Sequence, residues 1–401
     1  MAVREVVFVG GVRTAFGRMG GALKDFFASQ LAGIAIEGLV KKTKVNEKAA
    51  VDGVFLGSAT HCSSSLNPAR WATLAGGLGY RTPASYVEMQ CGSAIDCINH
   101  AAWKILAGQA DIMIAGGMES YSQMAAKFSM SVVPYSLIPP SAIPQQLSPV
   151  ADENIGMGIT AENLQEMYKI SREAQDEFSY HSQMRAKKAI EARFFDDEIV
   201  PVVIPATRKT PEVVFRVDEH IRPETNLKDL AKLPPAFKKN GTVTAGNSSG
   251  RNDGAAFVLM MTKEKATELG YQPLAQWIGG AEYGVDPRIM GIAPAYAIPL
   301  ALRRAGLKLS DLDIIECNEA FAVQNLAVIK ELENQTGQKI DMENWNPLGG
   351  AIAFGHPNGA SGARIGIFAM RELIRRGGRY AAFSSCCGGG LGVVTLIKNM
   401  R

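Results

Sequence analysis

Val51-Asp52-Gly53-Val54-Phe55-Leu56-Gly57-Ser58-Ala59 is answered near the other end of the chain by Leu312-Asp313-Ile314-Ile315-Glu316-Cys317-Asn318-Glu319-Ala320. Each carries an aspartate at its second position, then an apolar run, then small residues. That pattern reads as a buried strand running into a turn. A second pair follows in the same order. Cys91-Gly92-Ser93 opens a helical pattern over 94–107 and a strand pattern over 108–117. Gly359-Ala360-Ser361-Gly362 opens a helical pattern over 363–376 and a strand pattern over 377–385. Asp52 lies 261 residues from Asp313, and Gly92 lies 267 from Gly359. Two ordered matches at nearly one spacing predict an internal duplication.

Further strand-like runs lie at 6–9, 255–261 and 393–397. Ala94, Ile98, Ala101, Ala102 and Ile105 share one helix face. Strands alternating with helices predict an α/β architecture with buried sheets. The middle of the chain differs. Pro134, Pro139, Pro140, Pro144 and Pro149 make 123–150 an irregular loop. A helix is predicted from an N-cap at Ser171, with Phe178, Ala186, Ala189 and Ile190 apolar. Residues 205–240 are loop-rich and basic. The division expected is a first half, 1–121 plus 248–273, a loop domain inserted at 122–247, and a second half, 274–401.

Apolar residues are 47% of the 401-residue chain and charged ones 20%, which excludes dominant disorder. Forty-two basic against 39 acidic residues leave +3, too even for a protein built to grip nucleic acid. No apolar run is long enough to span a bilayer, and the N-terminus lacks a signal-peptide pattern. Six cysteines are too few for a disulfide scaffold. A soluble cytoplasmic protein is the expectation.

Cys91 precedes a clear amphipathic helix, where the helix start is expected to lower its thiol pKa. It reads as an activated nucleophile or as a small buried turn residue. His356 stands in Gly355-His356-Pro357-Asn358-Gly359, a Gly-rich turn before a helix. It could take a thiol proton or simply bond to backbone. Cys386-Cys387-Gly388-Gly389-Gly390 follows a strand. Adjacent cysteines strain any mutual bridge, and no metal-ligand spacing surrounds them. One could act as a base beside glycine N–H groups free for an oxyanion. Asn318 ends a strand, where open α/β sheets place ligands, and Glu319 reads as a structural acceptor. Cys62, Cys97 and Cys317 read as core residues, and His61, His100, His181 and His220 as surface or core. Gly10-Gly11-Val12-Arg13-Thr14-Ala15-Phe16-Gly17 is neither a dinucleotide fingerprint nor a P-loop.

Together these stretches resemble the thiolase family. The resemblance runs in order through Arg13–Gly17, Cys91-Gly92-Ser93, Gly116-Gly117-Met118-Glu119-Ser120 and Met157-Gly158-Ile159-Thr160-Ala161-Glu162-Asn163. It continues through Val243-Thr244-Ala245-Gly246-Asn247-Ser248-Ser249-Gly250, Asn318-Glu319-Ala320-Phe321, Gly355-His356-Pro357 and Cys386 to Gly390. It implies a duplicated five-layered α/β/α/β/α fold with a loop domain, in a dimer or tetramer. It implies a CoA-dependent acyltransferase that cleaves a 3-oxoacyl-CoA, or forms one, through an acyl-cysteine. Cys91 would be the nucleophile, His356 its base, and Cys386 the base at the α-carbon of acetyl-CoA. Asn318, through a water, and His356 would form one oxyanion site, and the N–H groups of Cys91 and Gly388 the other. Ser249 would lie near pantetheine and Arg222 near adenine, with Met157 and Phe321 also contacting substrate. Acyl-CoA and coenzyme A are the implied partners, with no metal and no redox cofactor.

Two departures stand out. Gly156 occupies the place where short-chain biosynthetic members commonly carry a histidine, and Asn358 replaces a usual aliphatic residue. With Phe128, Met130, Tyr135, Leu137 and Ile138 in the loop, Gly156 suggests a wide acyl pocket; packing of the loop residues in the subunit core is the equal alternative. A carrier-protein synthase of the same superfamily is disfavoured, since such enzymes carry histidine or asparagine in place of Cys386. A subunit for bulky substrates that needs an accessory partner, and a non-catalytic scaffold, remain as alternatives.

Overall fold

The computed structural model describes residues 4–60, 62–129 and 139–401. Its frame is one mixed sheet. In chain order the main strands are β1 (Val6–Thr14), β2 (Gly53–Gly57), β3 (Ala84–Val87), β4 (Ile112–Ser120), β5 (Asn252–Thr262), β6 (Ala275–Gly284), β7 (Ile314–Cys317), β8 (Tyr380–Cys387) and β9 (Leu391–Asn399). Across the sheet they run β7-β8-β9-β6-β1-β5-β4-β2-β3. The main helices are α1 (Ala28–Thr43), α2 (Pro68–Ala75), α3 (Ser93–Leu106), α4 (Met157–Tyr168), α5 (Arg172–Glu191), α6 (Pro294–Ala305), α7 (Ala322–Thr336) and α8 (Asn358–Arg376).

The duplication is visible in this order. β1 and β6 meet antiparallel through only three residue pairs, Val6–Phe8 against Ala275–Trp277. Outward from that seam each half repeats the same path, β5-β4-β2 on one side and β9-β8-β7 on the other. The matched aspartates do one job twice. Asp52 accepts from the N–H groups of Asp111 and Ile112, and Asp313 from those of Arg379 and Tyr380. Each carboxylate thus satisfies the opening backbone donors of the neighbouring strand.

Both helices that follow the second matched motif enter the middle layer. α3 and α8 pack on each other between the two half-sheets, in a core holding Ile95, Ile98, Ala363, Ile367 and Phe383. The first half's outer face is covered by α1 and α2 through Leu31, Ile36 and Ala72. The second half's is covered by α6 and α7 through Ile298, Val323 and Val328. Five layers result, because two half-sheets with apolar faces on both sides need helices outside and between them.

α8 begins at Asn358, five residues before the start its apolar pattern suggests. Gly359 and Gly362 lie inside the helix rather than in a turn. A Cβ on Gly359 would come within 2.5 Å of the Ser58 Cα, and one on Gly362 within 2.8 Å of the Ile95 N. These glycines serve close packing of the helix start, which sequence punctuation cannot distinguish from a turn. β6 is a second-half strand without a clear sequence signature, because Gly279 and Gly280 interrupt its alternation.

Arg13 explains the motif that matched no cofactor fingerprint. Fully buried, it donates to Glu198 at 2.6 Å and to both carboxylate oxygens of Asp218 at 2.7 and 2.9 Å. The rings of Phe16, Phe195, Phe354 and Phe368 surround its guanidinium at 5.4–6.0 Å. It fastens the excursion between β4 and β5 to β1. Arg13→Ala strands two buried carboxylates and is expected to cost about 3–5 kcal/mol in a urea melt. A loss below about 1 kcal/mol would show that the pair is not truly buried.

Candidate functional site

Cys91 sits on a single tight turn, Gln90–Gly92, between β3 and α3. Gln90 adopts φ +47°, a left-handed conformation uncommon for a side chain of this kind. Ser93 holds the turn: its Oγ accepts from the Met89 N–H at 2.9 Å and donates to the Gln90 carbonyl at 2.7 Å. Gly92 is required by a close approach, since a Cβ there would lie 2.6 Å from the Cys387 Sγ. Cys91 is half-buried, whereas the other five cysteines are buried.

The expected lowering of the Cys91 thiol is reversed. Burial pushes it up to about 12, helped by the nearby Glu119 charge, while the N–H groups of Cys91 and Gly388 pull it back only in part. One helix start does not offset desolvation of a thiolate. The sulfur therefore carries its proton at neutral pH, and attack requires a base.

His356 comes from the other half of the chain, just before α8. Its backbone N–H is pinned by the Gly250 carbonyl at 3.2 Å and by the Asn252 side chain at 3.0 Å. Its Nδ1 lies 2.6 Å from the Ser361 Oγ, and that hydroxyl donates onward to the Pro357 carbonyl at 3.1 Å. Nδ1 must then carry the ring proton, which leaves the Nε2 lone pair facing the Asn318 amide at 3.3 Å. Burial, with the Arg364 charge, lowers His356 to about 3, so its ring is neutral. Asn318 follows β7, and its buried Oδ1 has no partner among the described residues. A water bonded there would lie beside the imidazole.

Cys91 and His356 line one cavity of about 340 Å³, with Met157, Ser249, Phe321 and Asn358 also on its wall. Gly156 is on the wall too, and the space where its Cβ would project is open. Cys386 is not on the wall. It belongs to the core cluster of Met157, Met290, Ala320 and Phe321, all four of them wall residues, and its buried thiol is raised further by the neighbouring Cys91. Cys387 points the opposite way, into the middle layer under Gly92. The two adjacent cysteines are thereby told apart by strand alternation. Gly388 lies where its N–H reaches the Cys91 sulfur. Arg222 is exposed and absent from the wall, although His220, two residues away, packs on Gly250. Phe128 is 56% exposed, so it neither widens the cavity nor packs the core. Met130, Pro134, Tyr135, Leu137, Ile138 and His61 lie outside the described residues. A larger cavity, about 780 Å³, lies elsewhere beside Lys42 and Arg371, and no cysteine or histidine lines it.

Comparison with known proteins decides the family. Residues 6–264 match the thiolase N-terminal domain and residues 271–399 the thiolase C-terminal domain. The chain belongs to the thiolase family. It is 43% identical to a probable acetyl-CoA acyltransferase of Staphylococcus aureus, over 99% of this chain and 100% of that protein. The acetyl-CoA acetyltransferase of Bacillus anthracis superposes with a TM-score of 0.91 at 41% identity, over 99% of each chain. Human mitochondrial 3-ketoacyl-CoA thiolase in complex with CoA superposes with a TM-score of 0.89 at 39% identity, over 99% and 98%.

Two residues that hold this cavity together sit in the quoted motifs without any sign there of what they bond. Glu119, fully buried, accepts from Ser58 and Thr60 hydroxyls, the Cys62 thiol and the N–H groups of Ala59 and Gly359. It ties the first half to the start of α8, and so to His356. Ser361, which fixes the His356 tautomer, is legible only as a hydroxyl five residues past a histidine. Glu319 is a structural acceptor, bonded to Ser182, Asn346 and the Ile352 N–H.

Proposed function

We propose that this chain, an acyltransferase of the thiolase family, cleaves a 3-oxoacyl-CoA with coenzyme A into acetyl-CoA and a shortened acyl-CoA, or runs the reverse condensation. The observation that carries this reading is the meeting of Cys91 and neutral His356, from opposite halves, on one cavity wall. His356 Nε2 takes the Cys91 proton as the sulfur attacks the 3-oxo carbon. The Cα–Cβ bond breaks, leaving the acyl group on Cys91 and the enolate of acetyl-CoA. Cys386 supplies the proton to that enolate, and the proton that His356 took from Cys91 then passes to the Cys386 sulfur, which leaves the imidazole neutral for the second half; in the condensing direction the same transfers run in reverse. Coenzyme A then attacks the acyl-cysteine, its thiol proton passing to His356 and from there back to the departing Cys91 sulfur. The Asn318 water and His356 face one oxyanion, and the N–H groups of Cys91 and Gly388 the other. Preorganised donors of this kind contribute about 3 kcal/mol each.

Ser249, Met157 and Phe321 are assigned to the pantetheine and acyl ends, and Arg222, outside the cavity, to adenine. Acyl transfer between sulfurs moves no electrons to an acceptor, so neither a metal nor a redox cofactor is invoked. The open edge of β3 favours a homodimer or tetramer, since an unpaired strand is a template for a second copy. Six free cysteines suit a reducing compartment, and the cytoplasm is proposed. A scaffold role and an obligate accessory subunit are not favoured, because full-length relatives are named as acyltransferases.

Open space at Gly156 supports a substrate longer than acetoacetyl-CoA. Purified alone and assayed on a panel of 3-oxoacyl-CoA thioesters, the chain is expected to turn over a longer member at least about threefold faster than acetoacetyl-CoA. Equal or better rates with acetoacetyl-CoA would remove the wide-pocket reading. No thiolysis of any member would remove the function.

A further inference from the structure

The Asn358 side chain is the one polar group of α8 that reaches the Cys91 sulfur. Its Nδ2 donates to Sγ at 3.3 Å, across 267 residues of chain. Asn358 opens α8 directly after Pro357, and the glycine that follows it is anchored by Glu119, so its Cα has little freedom. Two backbone N–H groups, those of Cys91 and Gly388, already face the sulfur, and the amide adds a third donor from a different element. An amide N–H gains most when its acceptor is charged. Sulfur bears that charge twice in each turnover, before attack and when the acyl group leaves. Between those moments it is a neutral thioester sulfur, and a poor acceptor.

We propose that Asn358 is a further catalytic residue, donating a hydrogen bond to the Cys91 sulfur and holding the negative charge that this sulfur carries on attack and on release. The inference deepens the proposed thiolase reading and rests on Cys91 as the nucleophile.

Other groups act on the same sulfur. Glu119 on β4 and Glu88 in the turn oppose the thiolate, and Cys386 and Cys387 of β8 and Tyr121 lie within range of its charge. His356 and Arg251 share the cavity wall. None of these supplies an N–H to the sulfur in the arrangement seen, so the amide's contribution is separable by substitution at 358.

Asn358→Leu keeps the branched shape and removes the donor. Asn358→Asp keeps the size and replaces the donor with a carboxylate. Alkylation of Cys91 by iodoacetamide, followed by mass spectrometry from pH 6 to 9, needs no substrate. It therefore reads the hydrogen bond even if the chain proves inactive on every thioester, an outcome that would count against the function and not against the bond. A thiol whose pKa rises one unit loses about tenfold in thiolate and regains about threefold in nucleophilicity. Asn358→Leu is thus expected to alkylate at least about threefold more slowly than the parent, and Asn358→Asp more slowly still. In thiolysis kcat should fall about tenfold in Asn358→Leu with the KM for coenzyme A unchanged, because the bond gains its strength only with charge on sulfur. Leu alkylation equal to the parent's, or a change in KM alone, would reduce Asn358 to a wall residue. If thermal melting shows that the Leu variant does not fold, the Asp variant decides: alkylation as fast as the parent's overturns the proposal.

Discussion

Cys91→Ala is expected to lower thiolysis by at least about 10⁴-fold, the scale on which a lost nucleophile acts in covalent catalysis. No other cysteine can replace it. Cys62, Cys97, Cys317, Cys386 and Cys387 are all buried, and Cys91 alone opens on the cavity. Iodoacetamide should label Cys91 first, and an acyl-CoA should protect it. The pH dependence follows from two opposed shifts. Burial raises the Cys91 thiol to about 12 and lowers His356 to about 3. Between pH 5 and 9 the thiol is protonated and the imidazole neutral, so labelling should rise smoothly with pH. It should show no inflection near the ordinary histidine value of about 6.5. Preferential labelling elsewhere would dismiss Cys91 as nucleophile, and a step between pH 6 and 7 would show that His356 is charged in the resting enzyme.

The second large effect separates the two halves of the reaction. Cys386→Ala should still form the acyl-cysteine at Cys91, because His356, Asn318 and Gly388 stay in place. It should lose exchange of the α-proton of acetyl-CoA by about 10²–10⁴-fold, the usual contribution of a positioned general base. Cys387→Ala is the control. Its sulfur packs under Gly92, on the other side of β8, so exchange should persist while stability falls. Exchange retained in Cys386→Ala would place the base elsewhere. The raised Cys386 thiol fits a group that holds a proton at rest and surrenders it to an enolate.

Asn358 and Glu119 give the site a dependence on the join between the halves. Glu119 of the first half bonds the Gly359 N–H, and Asn358 of the second bonds the Cys91 sulfur. A small shift of α8 against α3 would move His356, the Asn358 amide and Cys91 apart together. Close glycine contacts at 359 and 362 resist that shift.

Much of this was open to reading from residue order. Matched aspartates at 52 and 313 report the duplication because each must satisfy strand-end donors, a local requirement that leaves a local mark. The pattern around 94–105 gives α3 and its buried face, since helix burial repeats at fixed spacing. Cys91 and His356 stand in small-residue turns and Cys386 at the end of a strand that runs into three glycines, settings that set them apart from the other cysteines and histidines. Their meeting is another matter. Which of Cys386 and Cys387 packs behind the cavity wall depends on the pleat of β8 against its neighbours. Which way the Cys91 pKa moves depends on how much water the finished fold excludes. The roles of Glu119 and Asn358 exist only once β4, α3 and α8 are packed, because Gly359 lies 240 residues from Glu119 and Cys91 267 from Asn358. Short-range patterns are written in the order of residues; long-range distances and the local dielectric are properties of the packed whole.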